Sequence, residues 1–269
     1  MLSLTFGPFT LAVDHLILLA ALGLAMLVGW RTARNSRGEN PESLLFSLFV
    51  AGVVIARIAF VITYWPQYRD QPGQIIDIRD GGFLLWPGVM GALLGAALGA
   101  WRRPAKRRPL AMGLASGLLL WLLAGLGSQF HSQGEQLPAL TLTRANGSEV
   151  QLTAYRGKPL VVNLWATWCP PCRREMPVLA RAQHERQDVQ FIFVNQGEAP
   201  MIVSNFLDTT GIDISQVLFD GNSDLSREVG SMALPTTLFY SAQGYLLGSH
   251  LGELSAASLM HALKTFDVN

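Results

Sequence analysis

The sequence predicts two structural classes in one chain: an α-helical membrane domain of about four transmembrane helices, then an α/β domain built on a central mixed sheet. Three observations carry this. Half of the 269 residues are hydrophobic and 14% are charged, whereas a soluble domain carries about a quarter charged residues. The apolar residues are concentrated in long runs that end near Gly127, and ordinary soluble composition follows. Beyond Pro138, short apolar runs alternate with amphipathic stretches, the order that lays helices on the faces of a sheet.

The first half holds four apolar runs: Phe9–Trp30, Leu44–Trp65, Phe83–Trp101 and Leu110–Gly127. Each is near the ~20 residues a helix needs to cross the hydrocarbon core, the last two only just. The residues before the first run, Met1–Pro8, include no Lys or Arg, and no small-residue cleavage site follows it. A cleaved signal is therefore not expected, and the chain should stay in the membrane. Arg31, Arg34 and Arg37 follow the first run; Arg102, Arg103, Lys106, Arg107 and Arg108 follow the third. Between runs two and three, Arg69 and Arg79 are outnumbered by Asp70, Asp77 and Asp80. The positive-inside rule makes the two basic loops cytoplasmic. It puts the N-terminus and everything after Gly127 outside, which in a bacterium is the periplasm. Arg57 interrupts an apolar run; charge is costly there, so it should face a protein interior or the head groups. The net charge is +1 and no basic strip carries interleaved aromatics. Nucleic acid is therefore excluded as a partner.

Two stretches of this half, "FGPFTLAVDHLILLAALGLAMLVGWRTAR" and "ARIAFVITYWPQYRDQPGQIIDIRDGGFLLWPGVMG", resemble the N-terminal part of prolipoprotein diacylglyceryl transferase. The likeness covers most of residues 5–110. The family carries His-Gly-Gly after Asp-Gly-Gly, with the histidine essential to its chemistry; here Trp86, Pro87 and Gly88 stand in those places. The family's later Arg- and Asn-rich signature is also missing. The resemblance implies a shortened relative that has lost the transferase chemistry and serves as an anchor. Domain bounds follow: a transmembrane domain over 1–127, a short polar linker over 128–138, and a second domain over 139–269.

The second domain reads element by element. "ALTLTRANGSEVQLTAY" is two alternating runs around Asn146-Gly147, a hairpin signal. "PLVVNLWA" and "VQFIFVNQ" are continuous apolar runs suited to strands buried on both faces. "PPCRREMPVLARAQHER" is a helix opened by prolines, with Pro177 expected to kink it. "APMIVSNFLDTTG" is a helix ended by Gly211. "VLFD" is a short strand and "DLSREVG" a short helix. "TTLFYSAQGYLLGSHLG" is a hairpin turning at Gln243-Gly244. "SAASLMHALKTF" is a closing amphipathic helix, with Ser255 as its cap.

The chain holds two cysteines, Cys169 and Cys172, both in "NLWATWCPPCRREMP". Cys169 falls where a buried strand gives way to a helix. A helix N-terminus favours negative charge and biases a thiol there toward thiolate; Arg173 and Arg174 push the same way, weakly if exposed. Cys172, one turn on, can attack a mixed disulfide on Cys169. Pro170 and Pro171 suit the first turn and stiffen the loop. This is the layout of a two-electron exchange site. A metal site is not expected, because zinc needs four ligands and no second cysteine pair exists.

"GKPLVVNLWATWCPPCRREMP", "VNQGEAP" and "ALPTTLFY" together resemble the TlpA-like branch of thioredoxin-fold proteins, which includes ResA, CcmG and other reductases of cytochrome c maturation. The likeness covers about residues 135–267. It implies a thioredoxin-like fold and a redox disulfide Cys169–Cys172. It also implies a cis-proline at Pro235, with Leu234's backbone gripping an extended substrate and Thr236 beside it. Glu198 takes the place of the branch's active-site acid, and Trp168 that of the aromatic wall; Trp165 reads as core. No cofactor is expected. The implied activity is a membrane-anchored periplasmic thiol–disulfide oxidoreductase, a reductase of other proteins' disulfides in the bacterial inner membrane. The first half contains no cysteine, so a separate transmembrane thiol reductant of the DsbD or CcdA type must recharge it. Two other readings stay open: a disulfide oxidase or isomerase, and a lipid- or lipoprotein-binding membrane protein with an accessory redox domain.

Overall fold

The most apolar stretch of the second half, Leu160 to Trp165, is buried at every position, as expected of a central strand covered on both faces. The computed structural model describes residues 3–6, 9–36, 38–69, 72–132 and 135–267. Asp70, one of the loop charges, and Gln133 and Gly134 of the polar linker lie outside them. The chain divides into two compact units. One is helical (residues 13–78 and 82–129); the other holds residues 130–269 together with 1–12 and 79–81.

The first elements are two short antiparallel strands, β1 (Ser3–Phe6) and β2 (Phe9–Ala12). The first apolar run therefore becomes helical at Val13 and not at Phe9. Its opening "FTLA" mixes aromatic and β-branched residues and suits a strand as well as a membrane helix.

The helical unit follows with α1 (Val13–Ser36), α2 (Glu42–Thr63), the short α3 (Trp65–Tyr68), α4 (Leu85–Arg102) and α5 (Arg107–Ser132). Helix α5 runs through the first residues of the stretch read as a linker. Among the described residues, three helices are long and apolar enough to cross a membrane, over Val13–Ser36, Glu42–Thr63 and Pro104–Gly127. Helix α4 has 18 residues, about 27 Å at 1.5 Å per residue, slightly less than a ~30 Å hydrocarbon core.

Small residues bring these helices together. A Cβ added at Gly88 of α4 would lie 2.7 Å from the carbonyl of Gly52 and 2.9 Å from the Ala56 Cβ on α2. On α5, Gly113 and Gly117 stand equally close to the α1 carbonyls of Ala25 and Ala21. Backbone approach of this kind drives helix association where burial from water contributes little. Arg57 faces the interior. It donates from Nε to the carbonyl of Ile75 (3.1 Å), and from Nη2 to those of Gln74 (2.9 Å) and Asp77 (2.7 Å). Its Nη1 donates to Gly82 (2.9 Å), and the rings of Phe60, Tyr68 and Phe83 surround the guanidinium. It ties down the loop between α3 and α4, so the head-group alternative does not apply.

The second unit begins with the hairpin β3 (Thr141–Arg144) and β4 (Glu149–Gln151), turning through Gly147 at φ +80°. Then come β5 (Leu160–Trp165), α6 (Pro170–Glu185), β6 (Gln190–Gln196), α7 (Pro200–Thr210), β7 (Val217–Asp220) and α8 (Asp224–Glu228). Helix α7 ends at Gly211, left-handed at φ +66°. The unit closes with β8 (Thr236–Tyr240), β9 (Leu246–Leu251) and α9 (Ala256–Asp267), whose backbone N–H at Ser258 donates to the Ser255 hydroxyl.

The strands form one mixed sheet in the order β4-β3-β7-β6-β5-β8-β9. The β5–β6 and β6–β7 pairs are parallel; β5–β8, β8–β9, β3–β7 and β3–β4 are antiparallel. Alternation along β5 sends Val161 and Trp165 into one core with Met176 and Leu179 of α6, Val203 of α7 and Leu259 of α9. Val162 and Leu164 enter the other core, with Leu152, Leu225 of α8 and Leu238. This is the thioredoxin-like arrangement the sequence predicts.

Replacing Gly88 by Val should push α2 and α4 apart and lower the unfolding temperature of the detergent-solubilised chain by several degrees. Gly23→Ala, at a helical position with nothing within 4 Å of the added Cβ, should leave it unchanged or slightly higher.

Candidate active site

The register of the sheet decides which loops meet. Trp165, the last residue of β5, pairs with Asn195 near the end of β6, and Leu164 pairs with Thr236 at the start of β8. The loop after β5, the loop after β6 and the turn before β8 therefore leave the sheet at the same end. They carry Cys169, Glu198 and Pro235 respectively.

Cys169 is the N-cap of α6, with extended backbone (φ −88°, ψ 107°). Pro170 and Pro171 occupy the first helical positions, where a missing N–H has no helical acceptor to lose. Cys169 and Cys172 are joined as a disulfide, and the Cys172 N–H donates to Cys169 Sγ (3.2 Å). Cys169 is 3% exposed and Cys172 not at all, so of the pair only Cys169 shows any surface. Trp168, immediately before it, is 67% exposed. Trp165 is fully buried against Phe206 of α7 and belongs to the core.

Glu198 is half-buried and receives three donors. The Thr167 N–H (2.7 Å) and the Asn195 amide (2.7 Å) reach one oxygen, and the Thr167 hydroxyl reaches the other. The carboxylate thus ties the loop after β6 to the loop that carries Cys169. The Leu234–Pro235 peptide is cis, as the resemblance implies. Pro235 is buried, and its carbonyl accepts from the Gly252 N–H (2.9 Å). Leu234 is half-buried against both cores. Thr236 is fully buried, its hydroxyl donating to the Ala233 carbonyl (2.7 Å) and lying 2.9 Å from that of Ser231. Its side chain holds the turn from inside.

The sequence reading missed Glu175. It lies on α6 one turn after Cys172 and is fully buried. One carboxyl oxygen accepts from Asn163 Nδ2 on β5 (2.8 Å), and that amide also donates to the Thr237 hydroxyl on β8 (2.9 Å). The other accepts from the Leu254 N–H, just before α9 (2.9 Å). Burial pushes the carboxyl up from 4.5 to about 8, against the pull of these hydrogen bonds. The chemical inventory is a disulfide at the start of a helix, whose first cysteine alone shows any surface, and a buried carboxyl that changes charge near pH 8. A tethered glutamate and an exposed tryptophan complete it.

Two family profiles match the chain: Redoxin over residues 132–261, and prolipoprotein diacylglyceryl transferase over residues 2–125. The chain is 29% identical over 160 residues to the thiol-disulfide oxidoreductase ResA of Bacillus subtilis, covering 55% of this chain and 88% of that one. It is 32% identical over 139 residues to ResA of Geobacillus thermodenitrificans, covering 47% and 79%. Among solved structures, a thioredoxin-family thiol:disulfide interchange protein from Chlorobium tepidum is 28% identical with a TM-score of 0.42, covering 48% and 94%.

Because the folded pKa of Glu175 lies above its ordinary value, its contribution to stability is full below the ordinary carboxylate range. It is lost as pH rises through about 8. At about 1.4 kcal/mol per pH unit the loss is on the order of 5 kcal/mol. Infrared difference spectra of the oxidised protein should show a protonated-carboxyl stretch that disappears as pH is raised through that value. Glu175→Gln should lack the band and show a flatter dependence of unfolding temperature on pH.

Proposed function

The chain belongs to the ResA-type thiol-disulfide oxidoreductases, and from that membership we propose that it is a membrane-anchored reductase of disulfides in extracytoplasmic proteins. The observation that carries the proposal is the Cys169–Cys172 disulfide at the start of α6, with only Cys169 reaching the surface. In the reduced enzyme the Cys169 thiolate attacks a substrate disulfide. One Cys169–substrate S–S bond forms, the substrate bond breaks, and one substrate sulfur leaves as a thiol. Cys172 then attacks Cys169 Sγ, closing the Cys169–Cys172 bond and releasing the second substrate thiol. Two electrons and two protons pass to the substrate.

We assign the uptake of the Cys172 proton to Glu175, buried one turn beyond it, through the ionised fraction that grows as pH approaches about 8. Glu198 tunes the Cys169 loop through Thr167. Trp168 and the Leu234 backbone form the face that meets an extended substrate segment. Pro235 shapes that turn and Thr236 supports it. No step calls for a cofactor.

We assign the helical part, residues 1–127, to anchoring in the bacterial inner membrane, with 128–138 as the connection and 139–269 as the periplasmic redox domain. Trp86, Pro87 and Gly88 stand where the transferase family has its histidine motif, which supports an anchor without transferase chemistry. Placing the N-terminus and the redox domain on the same side takes four crossings, so α4 is counted as a short one. Residues 1–127 contain no cysteine. Reducing equivalents then come from a separate transmembrane thiol carrier of the DsbD or CcdA type.

Two measurements on the full chain in detergent test the reading. The midpoint potential of the cysteine pair should fall near the thioredoxin end, roughly −270 mV; a value near the DsbA end, roughly −120 mV, would reverse the direction to oxidase or isomerase. Cys169→Ser should cut reduction of a peptide disulfide by roughly 10³-fold or more. Cys172→Ser should instead accumulate a mixed disulfide between Cys169 and the substrate.

A further inference from the structure

Beside the disulfide, on the outer side of α6, an open groove of about 470 Å³ runs between α6 and α7. Its apolar surface comes from Pro170, Pro177, Phe206 and Ile212, and its cations are Arg173 and Arg174. The two arginines are in different situations. Arg174 grips Glu253 Oε2 with Nε (2.8 Å) and Nη2 (2.6 Å), so its charge is matched. Arg173 has no carboxylate in ion-pair range among the described residues; its guanidinium lies over the Phe206 ring, 5.6 Å from the centroid. The groove therefore keeps one unmatched positive charge on an aromatic platform. The N-terminal end of α6, at the same edge, adds a positive partial charge. Pro170, at the mouth, is covalently next to Cys169. A segment lying in the groove is thus one residue from the sulfur that reacts.

We infer that this groove docks an acidic segment, carrying at least one apolar side chain, of the protein whose disulfide Cys169 exchanges. This rests on the functional reading above and adds a recognition surface to it. The carboxylate pairs with Arg173, and the apolar side chain lies against Phe206 and Ile212. The complementary charge selects the occupant: a basic segment would meet Arg173 and the helix end with like charge.

The test uses the full chain in detergent and matched, fluorescently labelled, cysteine-free peptides in which Glu/Leu alternates with Lys/Leu counterparts. Binding is read by anisotropy. The Glu/Leu peptide should bind about fivefold to tenfold more tightly than the Lys/Leu peptide at low salt, and the gap should shrink as salt screens the pair. Arg173→Glu should reverse the preference. Thr210→Lys, on the far wall and at the C-terminal end of α7 where a cation suits the helix, should widen it without touching the cysteine loop. Comparing the two peptides within each variant cancels any effect of Arg173 on the thiol itself. Equal binding of both peptides, or a preference that neither variant moves, would overturn the inference. So would a groove filled by a second copy of the chain, seen as self-association that Arg173→Glu abolishes. The same peptides with an internal disulfide report the functional reading separately. Selective binding with no electron transfer from the reduced enzyme would overturn that reading, and the assignment of the occupant with it.

Discussion

A carboxyl group taken out of water costs several kcal/mol unless its oxygens find donors, and Glu175 meets that demand with groups from separate parts of the chain. Asn163 on β5 reaches one oxygen and the Leu254 N–H before α9 reaches the other. Asn163 is itself steadied by Thr237 on β8. Because the partners lie on two different elements, a rotation or a one-residue slide of α6 would strand an oxygen. Cys169 is the N-cap of that helix. The position of the Cys169 sulfur therefore follows from a hydrogen-bond set buried beneath it. The apolar neighbours Trp165, Met176 and Leu179 keep water from relieving the carboxyl, so the same burial that fixes the helix also raises its affinity for a proton.

The helical unit solves its packing by other means. In a bilayer, moving an apolar side chain from lipid to protein gains little, so contact must come from close backbone approach. Gly88 against Gly52, and Gly113 and Gly117 against the carbonyls of α1, are the points where that approach occurs. Arg57 shows how a charge is tolerated among such helices. It spreads its donors over four carbonyls of one loop and sits among three rings. It organises the loop and is not held by a membrane surface.

Most of the α/β unit could be read from the sequence because its boundaries are set by local chemistry. Gly147, Gly211 and Gly244 take positive φ where turns or a helix end require it. Ser255 caps α9, and the prolines open α6 and α7. Glu175 was not read, because its role depends on Leu254, 79 residues away. Beside Arg173 and Arg174 it looks like part of a solvated face. One signal was present. Cys172, Glu175, Met176 and Leu179 follow the i, i+3, i+4, i+7 spacing of a buried stripe, and an acidic residue on such a stripe marks a buried carboxyl. The start of α1 was misplaced for a different reason: "FTLA" satisfies both periods, and only pairing with Ser3–Phe6 decides between them. Thr236 directly follows Pro235, and the register that pairs it with Leu164 turns its hydroxyl inward, a placement that only the sheet pairing decides.

The charges around α6 bear on how tightly such a site should hold its partner. An exposed ion pair is worth about 0–1 kcal/mol, so a single unmatched arginine in an open groove gives selectivity between partners without long residence. That suits an exchange reaction. Binding that is equal in the ground and transition states does not speed the chemical step, and a partner held firmly after the exchange would block the next one. Strong association is needed only while the two proteins share an S–S bond, and the covalent bond supplies it. Arg174, locked to Glu253 next to the Leu254 N–H that holds Glu175, keeps its charge out of the docking balance. Of the two adjacent arginines, one closes a surface ion pair with Glu253 and the other is left for the partner that the inferred groove would take.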